Sequence, residues 1–211
     1  MKLVLASKSP RRAQLLTRLG LPFEQQSSNL DEIWNPEQSP EENVQRLAKE
    51  KAEEIVSNWS NALILGSDTT VVYGNQILGK PETVEDAARM LRMLSDSEHQ
   101  VCTGVALLLT DSEGSILDTV QFCASTNVRF ASLSDMDIDA YIATGSPMDK
   151  AGAYGIQDDA GALFVQEIHG DYYNVVGLPL QALYQQLKRH VPDFARSLWS
   201  SYASQRKFES S

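Results

Sequence analysis

The sequence is poor in cysteine, histidine and positive charge, and each shortage excludes a class of protein. Cys102 and Cys123 are the only cysteines among 211 residues, so we expect no disulfide framework and a reducing compartment. The 18 Lys and Arg residues are outnumbered by 28 Asp and Glu residues, which gives a formal net charge of -10. Such an acidic chain argues against a nucleic-acid or acidic-membrane partner. The histidines (His99, His169 and His190) lack metal-ligand spacing, so we assign them no chemistry.

Long apolar runs and an N-terminal signal are also missing. Leu3–Ala6 is too short for the apolar core of a signal peptide, and the basic residues Arg11 and Arg12 follow it instead of preceding it. No apolar stretch approaches the roughly 20 residues that a membrane-spanning helix needs. We therefore expect a soluble cytoplasmic protein with no membrane partner.

Strand-like and helical patterns alternate along the chain, which predicts the α/β class. Leu3–Ala6 is typical of a buried strand, and Ser9 and Pro10 then indicate a capped helix start. Ser39 and Glu42 form a capping-box pattern before a second helix. The segment "ALILGSDTTVVY" predicts a strand that continues past a small-residue kink, and "VVGLPLQALYQQL" predicts a helix near the end.

The most unusual feature of the first helix is the basic pair at its beginning. A helix N-terminus already carries partial positive charge, so Arg11 and Arg12 there suggest that an anion is expected. Ser7, Ser9 and free backbone N–H groups would add donors around a phosphate. A solvated surface pair remains the alternative for these arginines.

Lysine and carboxylate side chains supply further candidates. Lys51 falls near the centre of the apolar stripe of the second helix, so it either snorkels past the helix edge or points into a cleft. Asp68 follows an apolar run and a Gly-Ser step, which places it near the end of a strand, where ligands of α/β sheets bind. There it could hold a cation or accept a proton, or it could simply bond its own turn. Asp31 and Glu32 offer further carboxylates.

Two loops complete the set of candidates. Lys80 stands between Gly79 and Pro81 in a tight extended turn, which suits either a phosphate contact or an exposed lysine. Gln157 follows a glycine-rich stretch, and its amide offers a donor and an acceptor together. That pair matches the carbonyl and N3–H edge of uracil or thymine, although a glutamine in solvent is the simpler reading.

Taken together, the motifs "LASKSPRR", "RLAKEKA", "GSDTTV", "GKP", "MDKAGAYGIQ" and "GDYYNVVGLPL" resemble, in this order, those of the Maf family of nucleotide pyrophosphatases, also called septum-formation proteins. The resemblance covers residues 3–187. It implies an elongated mixed sheet with flanking helices and a cleft between two lobes, similar to the ITP pyrophosphatases. It defines a domain over residues 1–190, and it leaves residues 191–211 as an amphipathic tail with Phe194, Leu198, Trp199 and Tyr202 on one helical face.

The resemblance also implies an activity and roles for single residues. The family hydrolyses a nucleoside triphosphate to the monophosphate and pyrophosphate with a divalent cation, Mg²⁺ or Mn²⁺. Asp68 corresponds to the catalytic proton acceptor, and the other polar cleft positions correspond to Ser7, Arg12, Glu32, Lys51 and Lys80. We expect Asp68 and Glu32 to hold the cation, with Lys51 and Lys80 also acting in catalysis.

Three positions separate the family's dTTP/UTP group from its 7-methyl-GTP group, which typically carries Trp, Gln and Glu there. In this chain they are Arg11, Thr69 and Gln157, all of the dTTP/UTP type. The expected substrates are therefore dTTP and UTP or modified pyrimidine nucleotides, in nucleotide-pool house-cleaning, by a homodimer of the family type. An ITP/XTP-type pyrophosphatase and a nucleotide-binding regulator of cell division are the alternatives.

Overall fold

The computed structural model describes residues 1–158 and 160–199, and these build one mixed sheet with helices on both faces. The strand order is β2-β1-β3-β5-β6-β7, with β4 paired to β3. Strand β1 runs parallel to β2 and β3, and all other pairs are antiparallel. The strands are β1 (Lys2–Ala6), β2 (Phe23–Gln25), β3 (Ala62–Tyr73), β4 (Gln76–Leu78), β5 (Glu98–Thr110), β6 (Ile116–Phe130) and β7 (Val165–His169). The predicted mixed α/β fold is confirmed.

The helices begin where the sequence places a cap. They are α1 (Pro10–Arg18), α2 (Pro40–Ile55), α3 (Val84–Leu94), α4 (Asp135–Ala143), α5 (Tyr172–Val176) and α6 (Leu180–His190). The capping box of Ser39 and Glu42 is present at α2. At α1 the predicted side-chain cap is wrong: Ser9 makes no cap hydrogen bond, and its N–H instead donates to Ser7 Oγ at 3.2 Å.

Helix α2 lies directly on strands β3 and β5 because two glycines leave no side chain between them. A Cβ atom at Gly66 would stand 2.0 Å from the carbonyl oxygen of Ala48, and one at Gly104 would stand 2.2 Å from the backbone of Val44. Ala48 and Ala52 of the helix pack on that sheet face with Ile64, while the other face carries the larger core. This close approach fixes the height of α2 above the sheet.

Two predicted details of the backbone are wrong. Strand β3 pairs with β5 in unbroken register from Leu63 to Val72, so the small-residue step at Gly66 is a helix contact and not a kink. The last predicted helix is two helices, because Gly177 ends α5 with φ +123° and Pro179 then precedes α6.

The tail residues that the structure describes continue as a helix over 192–199. Ala195 and Leu198 are buried in the core of the domain, and Phe194 packs against them. The indole N–H of Trp199 donates to the Tyr184 hydroxyl at 2.6 Å. Tyr202, the fourth residue of the predicted apolar face, lies outside the described residues. Among the described residues no helix is long and apolar enough to span a bilayer.

Candidate active site

A cleft with a volume of about 1010 Å³ opens where β1 passes into α1. The residues proposed from the sequence all line it: Ser7, Arg11, Arg12, Glu32, Lys51, Asp68, Thr69, Lys80 and Gln157. They come from five separate parts of the chain, and the fold brings them to one cavity. The predicted convergence of cationic and acidic side chains is therefore present, while their individual roles remain predictions.

Arg12 is the best anchored cation of the cleft. Its guanidinium donates to the carbonyl of Gly177 at 2.9 Å, to Ser7 Oγ at 3.1 Å and to Thr69 Oγ1 at 2.9 Å. Burial lowers the pKa of Arg12 from its ordinary value, and the nearby charge of Asp68 opposes that change. An arginine stays protonated despite such a shift, so the site holds a fixed positive charge.

The Thr69 hydroxyl has a direction that its neighbours determine. Thr103 Oγ1 lies 3.0 Å from Thr69 Oγ1 and donates its own proton to the carbonyl of Asn174 at 3.1 Å. Because a hydroxyl carries one proton, Thr69 must be the donor toward Thr103 while it accepts from Arg12. Its remaining lone pair makes Thr69 an acceptor for anything that enters the cleft.

Lys51 joins two carboxylates into a group that we call the Lys51 cluster (Lys51, Asp68 and Glu32). The Lys51 ammonium lies 2.5 Å from Asp68 Oδ1 and 2.7 Å from Glu32 Oε1. Its side chain is only 8 % exposed, so the cleft-facing alternative of the sequence analysis is correct and snorkelling is not. Asp68 is two residues beyond Gly66, where the parallel pairing with β1 stops, and β3 itself continues to Tyr73. The expectation of a strand end therefore applies to β1 and not to β3.

Glu32 reaches this cluster because α2 holds the preceding loop. The Glu54 carboxylate accepts the hydroxyl of Ser28 and the N–H groups of Asn29 and Leu30. Further along the loop, Arg46 donates to the carbonyl of Ile33 at 2.7 Å. The same helix thus positions both the cation and one of its partners.

The electrostatics of the cluster favour ionised carboxylates. Burial would raise the pKa of Glu32, but Lys51, Lys80 and Arg12 together outweigh burial and hold the pKa below its ordinary value. Lys80 is exposed at the edge of the cleft. Its contribution to Glu32 shows that its charge acts on the same cavity.

A second group, which the sequence analysis missed, lies in the glycine-rich stretch. We call it the Lys150 cluster (Lys150, Asp149, Asp158 and Ser146). The buried Lys150 ammonium contacts Asp149 Oδ1 at 2.7 Å, Asp158 Oδ2 at 3.1 Å and the carbonyl of Ser146 at 2.6 Å. The residues Asp149 and Lys150 stand inside the motif "MDKAGAYGIQ", and the adjacent opposite charges were the available signal.

The Lys150 cluster holds two of the three predicted specificity residues. Arg11 donates to Asp149 Oδ2 at 2.6 Å, and the Gln157 amide donates to Asp158 Oδ1 at 2.8 Å. Burial would raise the pKa of Asp149, yet Lys150 and Arg11 hold it below its ordinary value. Gln157 is half-buried in the cleft lining and is not a solvent-exposed hairpin residue.

Beneath this region His99 forms a buried aromatic group with Tyr154 and Phe130. Its Nε2 lies 2.8 Å from the Tyr154 hydroxyl, and both neighbouring rings meet the imidazole edge to face. Burial lowers the pKa of His99 to about 4. His99 thus remains neutral near pH 7 and has a structural role that its sequence context did not indicate.

The acidic residues of the cleft fit a hard cation that a ligand would help to bind. Within residues 1–158 and 160–199, no group of three or more His, Cys, Asp or Glu side chains is arranged as a metal site. Asp68 and Glu32 bracket one ammonium and present two carboxylates to the cavity. Mg²⁺ is commonly bound by one or two carboxylates together with water and substrate phosphate, so this donor set suits it.

Comparison with known proteins agrees with this arrangement. Residues 2–190 match the family described as Maf-like protein. A dTTP/UTP pyrophosphatase of Geobacillus sp. (strain WCH70) is 50 % identical over 188 residues, which covers 89 % of this chain and 97 % of that protein. A dTTP/UTP pyrophosphatase of Salinibacter ruber is 47 % identical over 191 residues, covering 90 % and 92 % of the two chains. The extent of both matches shows that this chain belongs to the Maf-like family.

Proposed function

We propose that this protein hydrolyses nucleoside triphosphates to the monophosphate and pyrophosphate, with dTTP and UTP as preferred substrates. The single observation that carries the proposal is the cleft in which Arg12, Lys51 and Lys80 face the carboxylates of Asp68 and Glu32. The similar proteins named dTTP/UTP pyrophosphatase support the same activity.

The first task of such a site is to neutralise the triphosphate. Arg12 supplies a rigid guanidinium, whose planar donors match phosphate oxygens. The beginning of α1 adds backbone N–H groups, because the first N–H groups of a helix have no partner within it. Lys80, exposed at the edge, can follow the phosphate chain as it enters.

The second task is to activate water. In this mechanism Asp68 takes a proton from a water molecule, whose oxygen forms a bond to the α-phosphorus. The bond from the α-phosphorus to the bridging oxygen breaks, and pyrophosphate leaves with the electron pair. Lys51 lies 2.5 Å from Asp68 Oδ1, where it keeps that carboxylate oriented and stabilises the charge that develops on the phosphate.

A divalent cation, Mg²⁺ or Mn²⁺, is the cofactor that this site would take. Asp68 and Glu32 would hold it, and a bound cation would supply Lewis-acid stabilisation of the phosphate charge. The protein's own contribution is to keep both carboxylates ionised beside Lys51, so that they remain competent ligands.

Selection of the base is assigned to Arg11, Thr69 and Gln157. Gln157 offers the amide that can pair with the carbonyl and N3–H edge of uracil or thymine. Thr69 offers an acceptor because Thr103 takes its proton. Arg11 is held beside the same cavity by Asp149.

The wider role that follows is removal of pyrimidine triphosphates, including modified ones, from the nucleotide pool of the cytoplasm. The acidic chain and the two free thiols support that location. The family resemblance supports a homodimer, which sedimentation equilibrium would test directly.

A nucleotide panel tests the proposal. Pyrophosphate release from dTTP, UTP, ITP and 7-methyl-GTP is measured with Mg²⁺ or Mn²⁺ and again with EDTA. We expect release from dTTP and UTP that requires the cation, and Asp68→Asn should lower kcat by about 10²–10⁴-fold with an unchanged melting temperature. Preference for ITP, or binding of nucleotide without hydrolysis, would contradict the proposal, as would near-normal turnover in Asp68→Asn.

A further inference from the structure

The direction of the Gln157 amide is fixed by its neighbour. An ionised carboxylate can only accept hydrogen bonds, so the amide nitrogen of Gln157 must face Asp158 Oδ1, 2.8 Å away. The amide oxygen is then left as the acceptor that Gln157 offers to the cleft. A free glutamine could rotate by half a turn and exchange donor for acceptor, but this one is held in one orientation.

Asp158 is itself immobilised by three groups. Its Oδ2 accepts the Ser146 hydroxyl at 2.5 Å, contacts the Lys150 ammonium at 3.1 Å and lies 3.4 Å from the Tyr141 hydroxyl. The two oxygens are thus divided, since Oδ2 receives the anchors and Oδ1 receives Gln157. A carboxylate held in this way can orient an adjacent side chain.

Gly155 provides an independent sign that the arrangement is tightly built. A Cβ atom at this position would stand 2.7 Å from Asp158 Oδ2, 2.7 Å from Lys150 Cε and 2.8 Å from Gln157 Nε2. The backbone therefore passes directly against all three groups, and any side chain at Gly155 would displace them.

We propose that Asp158 is a positioning residue for base selection, which Lys150 and Ser146 anchor and which presents the Gln157 amide in the orientation that pairs with uracil or thymine. This inference rests on the proposed function. Uracil and thymine offer N3–H as a donor beside a carbonyl, which matches an amide with its oxygen directed at N3–H. Cytosine has an acceptor at N3 and an amino group beside it, so it needs the reversed amide. The device therefore selects against cytidine triphosphate.

The test compares kcat/KM for UTP with kcat/KM for CTP in the full chain. Asp158→Asn is nearly isosteric, but its amide can offer either end to Gln157, so the orientation is no longer fixed. We expect wild-type protein to prefer UTP, and the UTP-to-CTP ratio to fall about 5- to 10-fold in Asp158→Asn. The exposed Asp139→Asn on α4 is the matched control, and it should leave the ratio unchanged.

Two further variants guard against a general loss of structure. Ser146→Ala removes one anchor of Asp158 and should lower the ratio about 2-fold, even if Asp158→Asn fails to fold. Lys150→Arg keeps a cation beside Asp158 and should retain more of the ratio than Lys150→Met. A purely structural role would lower both substrates equally.

The outcomes separate this inference from the function on which it rests. No pyrophosphate release from UTP or dTTP by wild-type protein would overturn the proposed function. Normal release with no preference for UTP over CTP, or an unchanged ratio in Asp158→Asn and Ser146→Ala, would overturn the role of Asp158 alone.

Discussion

Two buried lysines face the same cleft, and each one holds two carboxylates. Lys51 contacts Asp68 and Glu32, whereas Lys150 contacts Asp149 and Asp158. The difference lies in what the carboxylates do next. Those of the Lys150 cluster are engaged further by Arg11, Gln157 and Ser146. The carboxylates of the Lys51 cluster instead face the cavity, where a water molecule, cation or phosphate can reach them.

The comparison teaches that similar ion pairs can divide one site between chemistry and recognition. Removal of a group from the Lys51 cluster should slow turnover for every substrate. Removal of a group from the Lys150 cluster should change which base is accepted.

The largest expected effect is at Lys51. Lys51→Met leaves Asp68 and Glu32 without their shared cation, and we expect kcat/KM to fall about 10²–10³-fold for UTP and dTTP alike. Steady-state pyrophosphate release measures this loss. Lys49→Met is the matched control, because Lys49 is a more exposed residue of the same helix, paired with Glu53. Equal losses in both variants would mean that the Lys51 cluster has no special role.

A stability experiment examines the aromatic support beneath the Lys150 cluster. The pKa of His99 is about 4 in the folded protein, against 6.5 ordinarily, so between these values the unfolded chain binds more protons. The contribution of His99 is therefore complete above pH 6.5 and is lost as the pH falls toward 4, by on the order of 3 kcal/mol.

Urea unfolding of wild-type protein and His99→Gln at pH 4.5 and 7 measures this difference. Glutamine can bond the Tyr154 hydroxyl but takes no proton in this range, so the variant should lose less stability on acidification. Carboxylates titrate equally in both proteins and cancel in the comparison. Identical pH dependence in the two proteins would contradict a neutral buried His99.

A smaller effect is expected from Gln157→Glu. The substitution replaces the amide donor by a charge beside Asp158 and removes the donor that a pyrimidine carbonyl would accept. We expect kcat/KM for UTP to fall about 10-fold while release from ITP changes less. Unchanged UTP kinetics would show that Gln157 does not read the base.

The smallest effect concerns the hydroxyl relay between Arg12 and Asn174. Thr103→Val removes the group that takes the proton of Thr69, so Thr69 can turn its hydroxyl toward the cleft. KM for UTP should rise about 3-fold with little change in kcat, and Thr103→Ser should restore it. A rise in KM that serine also fails to correct would point to packing instead of the relay.

Much of the Lys51 cluster could be predicted because its residues occur in regular elements. The helical period placed Lys51 on the apolar face of α2, and the strand pattern placed Asp68 after a buried run. The pairing of Lys51 with Glu32 could not be predicted, since it depends on how Glu54 and Arg46 hold an irregular loop.

The Lys150 cluster escaped prediction for a related reason. The stretch from Ser146 to Phe164 forms short 3-10 helices and turns, with no repeated spacing that would tell which side chains point inward. The contact of α2 with Gly66 was equally hidden, because a glycine in a strand suggests a kink as readily as a close packing partner.

The most direct test of this division of labour measures kcat for UTP and the UTP-to-CTP ratio in Asp68→Asn and Asp158→Asn side by side. The account predicts a loss of kcat of about 10²–10⁴-fold in Asp68→Asn, and nearly normal kcat with a reduced ratio in Asp158→Asn. Normal turnover in Asp68→Asn, or equal loss of turnover in both variants, would contradict it.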